Sequence, residues 1–326
     1  MSAVVRMLIV LLLSSFALTA QAQQYPAKPI RMIVSIAAGS VTDVIMRAAA
    51  AELQPRLGQP LVIENQGGAS GIIGAKACAQ APADGYNVCI INHAQTSYNP
   101  LMFTTLPYDA DHDLVPVARL FFLIEGVFVN PKLGVNSIAE LKALAQAKPD
   151  ALNYATLGEG SFPELFMVWL NNQWGTRIVG IPYKGGGPAA QAVAANDVQM
   201  TRFGVGNFRG LVEAGKVKAL AVASAKRSPL LPNVPTLDEA GLAGYPGRGW
   251  WGVAVPKGTP APIVARLSKE FAALFGDPKF AAFLDKQSVV PAPTGPEDFA
   301  AFLKEDRKSA EALIKIANTR KKEFKE

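Results

Sequence analysis

Apolar and polar positions divide this chain into short apolar runs, each passing through small residues into a helical pattern. The first run, Met32 to Ile36, gives way to Ala37-Ala38-Gly39-Ser40-Val41-Thr42-Asp43 and then to a helix carrying Val44, Ile45, Ala48 and Leu53. Leu61 to Asn65 predicts a second strand, followed by Gly67-Gly68-Ala69-Ser70-Gly71 and a small-residue helix through Ile72, Ala75 and Ala79. After the Asp84-Gly85 turn, Tyr86 to Asn92 predicts a third strand. This repeated order of strand, turn and helix predicts an α/β fold with a mainly parallel sheet.

Val115 to Val129 reads as one long strand that leaves this first unit, and Ile138 to Ala147 as a helix ended by Lys148-Pro149. Leu152 to Thr156 opens a second unit, with the turn Leu157-Gly158-Glu159-Gly160-Ser161 and a bulky helix through Leu165, Phe166, Trp169 and Leu170. Ile178 to Pro182 predicts a strand ending in Tyr183-Lys184-Gly185-Gly186-Gly187-Pro188. A helix, Ala189 to Ala195, and strands Val198 to Phe203 and Ala219 to Ala223 follow. Pro260 to Phe275 and Pro296 to Ala317 read as helices that return to cover the first unit.

Ligands of open α/β sheets sit outside the carboxyl ends of the strands. If the two units face each other, the small-residue turns near residues 39, 159 and 186 line one cleft. A helix entered from a strand leaves its first N–H groups without partners at the positive end of the helix dipole, which suits an anion. The first turn also fits an ordinary βα connection, with Ser40 or Thr42 as the cap and Asp43 in the first helical turn. Both readings stand on this stretch alone.

Before the first strand, Arg6, the apolar run Met7 to Leu18 and Ala20-Gln21-Ala22 follow the order of a secretory leader, with cleavage expected after Ala22. That apolar run is too short to span a bilayer. The remaining chain, residues 23–326, has the length of two domains and is expected to be periplasmic. Half of the 326 residues are apolar and 18% are charged, enough apolar side chain for a large core. The net charge of +6 comes from scattered Lys and Arg, whereas a nucleic-acid surface concentrates them on one face, so that class is excluded. Cys78 and Cys89, eleven positions apart, are either an exported protein's disulfide or two small core residues.

Catalytic patterns are missing. Around Ser70 the order is Gly68-Ala69-Ser70-Gly71-Ile72, which is not nucleophile-elbow spacing, and Gly74-Ala75-Lys76 lacks the end of a phosphate loop. His93 and His112 are the only histidines, too few and too far apart to suggest a zinc enzyme. No cofactor or metal is called for, and the chain does not read as an enzyme.

A set of short motifs carries a family resemblance over nearly the whole of residues 23–326. These are Tyr25-Pro-x-Lys-Pro-Ile30-Arg31, Gly39-x-x-Thr42-Asp43, Leu57-Gly58-Gln59-Pro60, Ala83-Asp84-Gly85-Tyr86, Leu106-Pro107-Tyr108-Asp109, Leu152-Asn153-Tyr154 and Pro182-Tyr183-Lys184-Gly185. The chain resembles the Bug family, the TctC-like extracytoplasmic solute-binding proteins of tripartite tricarboxylate transporters. The resemblance implies a Venus-flytrap fold of the type II periplasmic-binding-protein kind, two α/β domains around a central ligand cleft. Domain one would hold residues 23–124 plus 246–326, and domain two residues 125–245. It further implies a monomer that closes on a small carboxylate (a di- or tricarboxylate or an aromatic acid) and delivers it to the transporter's membrane components. A receptor that signals to a membrane sensor, with no transport role, is the alternative.

Carried over to this chain, the family's site implies ligand contacts from Ala38, Gly39, Ser40, Val41, Thr42 and Asp43 in the first turn. His93, Gln95 and Thr96 after the third strand, Gly158, Glu159, Ser161 and Phe162, and Gly185 and Gly186 complete the two sides, with Arg202 and Phe203 at a strand end. The chain departs from the pattern where Ser40 replaces a glycine. It departs again where Phe203 replaces an aspartate suited to a ligand amino group, which argues against an amino-acid ligand. Arg202 is a candidate clamp for a second carboxylate, but strand alternation turns it away from the cleft if Phe203 faces in. Phe162 and Phe203 are candidates to stack an aromatic acid. Glu125, Glu159 and Glu164 are expected to lie exposed, since any of them in the cleft would disfavour anions.

Overall fold

The computed structural model describes residues 25–317 and 321–324. The leader read over residues 1–22 lies outside the described residues. Six strands, β1 (Ile30–Val34), β2 (Leu61–Asn65), β3 (Asn87–Asn92), β5 (Leu114–Leu123), β11 (Trp250–Pro256) and β12 (Val289–Pro291), form one sheet in the order β12-β5-β11-β3-β1-β2. Five more, β6 (Glu125–Val129), β7 (Asn153–Thr156), β8 (Val179–Pro182), β9 (Met200–Gly204) and β10 (Lys218–Ala223), form a second in the order β10-β6-β9-β7-β8. The short β4 (Phe103–Thr105) pairs with β13 (Lys322–Glu323) near the C-terminus.

In both sheets the strands followed by glycine-rich turns are parallel. β1 runs parallel to β2 and β3, and β7 parallel to β8 and β9. Helices cover the faces, so the central strands are buried on both sides and read as unbroken apolar runs. All of β11 is buried, at the centre of the first sheet. It is absent from the elements expected above. The covering helices are α1 (Val41–Leu57), α2 (Ile72–Ala79), the one-turn α3 (Asn99–Met102), α4 (Ile138–Ala147), α5 (Phe162–Trp174), α6 (Gly186–Ala195) and α7 (Arg209–Glu213). The C-terminal set is α8 (Ala261–Phe275), α9 (Pro278–Asp285) and α10 (Pro296–Ala317).

The apolar stretch Val115 to Val129 is two strands, not one. β5 ends at Leu123 and β6 begins at Glu125, so the chain changes sheets at Ile124 alone. That residue is held from both sides: its N–H donates to Ser288 O at 3.0 Å and its carbonyl accepts from Val205 N at 2.9 Å. The return crossing runs beside it, with Leu123 N donating to Gly249 O at 2.9 Å. The last helix also departs from expectation. α10 packs on β5 of the first sheet and also on α5 of the second unit, where Asn172 Nδ2 donates to Ile316 O.

The two crossings are joined by a buried ion pair. Arg202 Nη2 lies 2.5 Å from Glu125 Oε2 and donates at 3.4 Å to Gly247 O, and both charged side chains are 2% exposed. The guanidinium lies over the rings of both Phe166 and Tyr245, at 4.7 and 4.4 Å from their centroids, the two rings meeting edge to face. Glu125 is thus not exposed, contrary to expectation. Burial pushes its carboxyl up from the ordinary value, and Arg202 only partly opposes this. A Cβ on Gly249 would stand 2.8 Å from Glu125 Oε1, so only glycine lets the return strand pass this close.

Cys78 of α2 and Cys89 of β3 form a disulfide with Cα atoms 6.0 Å apart, which resolves the two readings left open above. It ties the helix after the second turn to the strand beneath it.

Two stability predictions follow from these ties. Replacing both cysteines by alanine should cost about 3 kcal/mol, from the loop entropy restored to the unfolded chain. Urea unfolding reads this, and equal midpoints for the oxidised and alanine forms would contradict it. Arg202→Met alone leaves Glu125 buried without its counter-charge and should cost about 3–5 kcal/mol, while Glu125→Gln combined with Arg202→Met should recover most of the loss. Additive losses in that cycle would rule out the pair as a coupled unit.

Candidate ligand-binding cleft

Four turns leave the carboxyl ends of β1, β2, β7 and β8 and meet between the two sheets. The first is fixed by a reciprocal cap. Ser40 Oγ accepts from Asp43 N at 3.2 Å, and Asp43 Oδ2 accepts from Gly39 N at 2.9 Å. Gly39 takes φ +78°, a left-handed conformation that favours glycine. Arg47 Nε and Asn65 Nδ2 also donate to the Asp43 carboxylate, at 3.0 and 2.9 Å. Burial acts against its charge, but Arg47, the Gly39 amide and Asn65 outweigh burial and hold Asp43 below the ordinary carboxylate value.

The turns touch across the cleft. Ser70 Oγ donates to Glu159 O at 2.5 Å, and Val41 N donates to Asn207 Oδ1 at 3.2 Å. A Cβ on Gly185 would lie 3.0 Å from the Ala37 Cβ, so the first and fourth turns pack directly against each other. Between these contacts remain two cavities. The first, about 30 Å³, is lined from one side by Ser35, Ser70, Gly71, Asn92 and Gln95 and from the other by Ser161, Tyr183 and Lys184. The second, about 20 Å³, is lined by Ser40, Val41, Thr42, Leu123 and Trp251, facing Gly186, Phe203, Gly204 and Asn207. Ile36 and Phe162 line both and separate them. Each cavity is room for one or two water-sized groups.

Each cavity also collects helix N-termini from both units. The first lies at the starts of α2 and α5, the second at the starts of α1 and α6. Lys184 is the one charged side chain lining either cavity among the described residues; no Asp or Glu does. This arrangement accepts negative charge through backbone N–H groups, helix dipoles and one cation.

Of the residues expected from the sequence, Gln95, Ser161 and Phe162 line the first cavity, and Ser40, Val41, Thr42, Phe162, Gly186 and Phe203 the second. Ala38, Gly39, Gly158, Glu159 and Gly185 lie in the turns around the mouth and line neither cavity; the Glu159 carboxylate pairs with Lys322. Asp43 is turned into its own cap. Thr96 is buried with Oγ1 donating to Asn92 O at 3.2 Å. His93 stands behind Phe162 in edge contact with Tyr98, Phe162 and Trp250, neither ring nitrogen bonded. Burial, with Arg202 adding to it, pushes its pKa down to about 3, so it is neutral. Arg202, the candidate clamp, lies on the opposite face of β9 from Phe203, bound to Glu125, and lines neither cavity.

Ser70, Asn92, Asn207 and Trp251 line the cavities without having been expected there. Trp251 belongs to β11, the strand absent from the expected elements. Asn207 follows Gly204-Val205-Gly206, a stretch whose turn chemistry is plain in the sequence but whose direction is set only by contact with α1.

The family model described as the tripartite tricarboxylate transporter family receptor, TctC, matches residues 45–319. Among solved structures, a Rhodopseudomonas palustris protein with adipate, Rpa4515, superposes with a TM-score of 0.87 at 32% identity, covering 91% of this chain and all of the other. The periplasmic binding protein BugD gives 0.86 at 32% identity over 91% of this chain and all of its own. MatC from Rhodopseudomonas palustris, with bound malate, gives 0.82 at 29% identity over 89% of this chain and all of its own. These matches agree with the helix N-termini gathered at the cleft, and the chain belongs to the TctC family of tripartite tricarboxylate transporter receptors, the family of the Bug solute-binding proteins.

Proposed function

We propose that this chain is a periplasmic receptor that closes on a small organic carboxylate and presents it to the membrane components of a tripartite transporter. The observation that carries this reading is the composition of the two cavities: helix N-termini from both units, Lys184, and no acidic side chain. A free ammonium would find no counter-charge there, which favours plain carboxylates over amino acids. Adipate and malate, named with two relatives, belong to that class. Export would follow the leader ending at Ala22, and BugD is likewise a periplasmic binding protein.

The lobes of the proposed closure are residues 23–124 with 246–326, and residues 125–245. The crossings at Ile124 and at Gly247 to Gly249 are the hinge, braced by Glu125 and Arg202. The turn contacts Ser70 with Glu159 and Val41 with Asn207 belong to the closed form. Closure then removes water from around the carboxylate and strengthens the N–H contacts.

Thermal unfolding of residues 23–326 against a panel of aliphatic di- and tricarboxylates, aromatic acids and amino acids tests the reading. At least one carboxylate should raise the midpoint by mass action and change the tryptophan fluorescence, whereas amino acids should do neither. A folded protein that responds to no carboxylate would remove the proposal.

The mouth of the cleft also carries a pH dependence. Glu164, in the first turn of α5, accepts from Gly160 N at 2.6 Å. Burial raises it, the Gly160 amide opposes, Glu159 raises it further and Lys322 opposes, leaving it at about 7 against an ordinary 4.5. The folded protein therefore keeps a proton that the unfolded chain has released. This stabilisation is full below pH 4.5 and declines as pH rises to about 7. Glu164→Gln should flatten that part of the stability profile, measured by urea unfolding at fixed pH steps; an unchanged slope would remove Glu164 as its source.

A further inference from the structure

The turn after β7 also rests on the first unit outside the two cavities. A Cβ on Gly160 would lie 3.4 Å from Asn99 Oδ1 and 3.5 Å from Phe103 Cε2, so the turn sits on α3 and β4. The same Phe103 ring receives Phe324 edge-on, at 5.8 Å between centroids. Phe324 follows β13, which pairs in parallel with β4 and sets Lys322 opposite Phe103. Thr104 Oγ1 donates to Lys322 O and Lys321 Nζ to Pro100 O, both at 3.3 Å, so residues 321–324 are held on the first unit. The Lys322 side chain leaves that unit. Its ammonium pairs with the carboxylate of Glu159, and Glu164 is its second acidic neighbour. Glu159 is also the residue whose carbonyl accepts from Ser70 Oγ.

We propose that residues 321–324 form a strap that holds the turn after β7 against the first unit and so favours the closed cleft before any ligand binds. This rests on the two-lobe closure proposed above. β13 and Phe324 anchor the strap on β4, and Lys322 reaches from that anchor to the second unit. An exposed ion pair is weak by itself, because solvent screens it and both side chains lose freedom. Here the pairing of β13 with β4 already fixes the Lys322 backbone beside the turn, which removes part of that cost. Separation of the units at the crossings would carry Glu159 away with β7 while Lys322 stays with β4. The contact therefore belongs to the closed form alone, and a contact made in one of two states shifts the population toward it. A larger closed fraction raises the affinity for any ligand that the closed form holds.

Small-angle X-ray scattering of ligand-free residues 23–326 tests this, on the native protein, Lys322→Glu, Phe324→Ala and the charge swap Lys322→Glu with Glu159→Lys. None of the three positions is buried, so each variant should keep the fold, which circular dichroism checks. The native protein should give the smallest radius of gyration. Lys322→Glu sets a third acid beside Glu159 and Glu164; it should lower the closed-to-open ratio about fivefold and give the largest radius. Phe324→Ala loosens the anchor and should fall between them, and the charge swap should return the radius toward the native value. Equal radii for the native protein and Lys322→Glu, whether both compact or both extended, would overturn the strap. So would an expansion by Lys322→Glu that the swap does not reverse, since Lys322 would then not act through Glu159. No ligand enters these measurements: silence of the carboxylate panel would remove the proposed function, whereas the scattering alone decides the strap.

Discussion

The structure depends on how the chain passes from one sheet to the other. One residue, Ile124, joins two strands of different sheets, and its N–H and carbonyl are satisfied by Ser288 and Val205 on opposite sides. A link this short keeps the two sheets adjacent, with the carboxyl ends of β1 and β2 turned toward those of β7 and β8. The Glu125–Arg202 pair stands at the same place and ties the outgoing crossing to the returning one through Gly247. Isolated buried ion pairs contribute little net stability, because desolvation offsets their attraction. What this one supplies is geometric: a charged bond that is satisfied only when β6, β9 and the return segment are aligned.

A second regularity concerns where negative charge is placed. Asp43 is held by Arg47 and the Gly39 amide, Glu125 by Arg202, and Glu159 by Lys322. These three acids near the cleft are thus directed to cations, and no acid lines either cavity. The α1 N-terminus shows the consequence. Had the Asp43 carboxylate pointed into the cleft, it would have repelled an anion at the dipole's positive end; folded back as a cap, it fixes the turn and leaves the cavity free of its charge.

The strands with glycine turns at their ends were legible in the sequence because their physics is local. An apolar run, a left-handed glycine such as Gly39 and a capping Ser or Asp leave their marks within a few residues. The alternation argument was also sound at β9: Phe203 faces the cavity and Arg202 the other side. What could not be read was whatever depends on a partner far away in sequence. Glu125 looks like a surface residue until Arg202, 77 residues on in the neighbouring strand β9, is placed against it. The single strand expected over Val115 to Val129 hid a change of sheet, since Leu123, Ile124 and Glu125 bear no glycine or proline to announce it. β11 was missed although β3 and β9, buried just as completely, were read.

The same distinction explains why ligand preference is the last property to emerge. Family motifs fix the turns, and the turns fix where N–H donors point, yet preference is decided by side chains that share those donors or fill the space beside them. Phe203 places an apolar ring at its strand end, in contact with Phe162 at 5.6 Å between ring centroids. Asn207 meets a donor of the opposite unit through a turn that only Gly204 and Gly206 permit. Neither residue forms the fold's framework. They stand at the seam between the units, Phe203 through apolar contact and Asn207 as a neutral acceptor on a helix N-terminus.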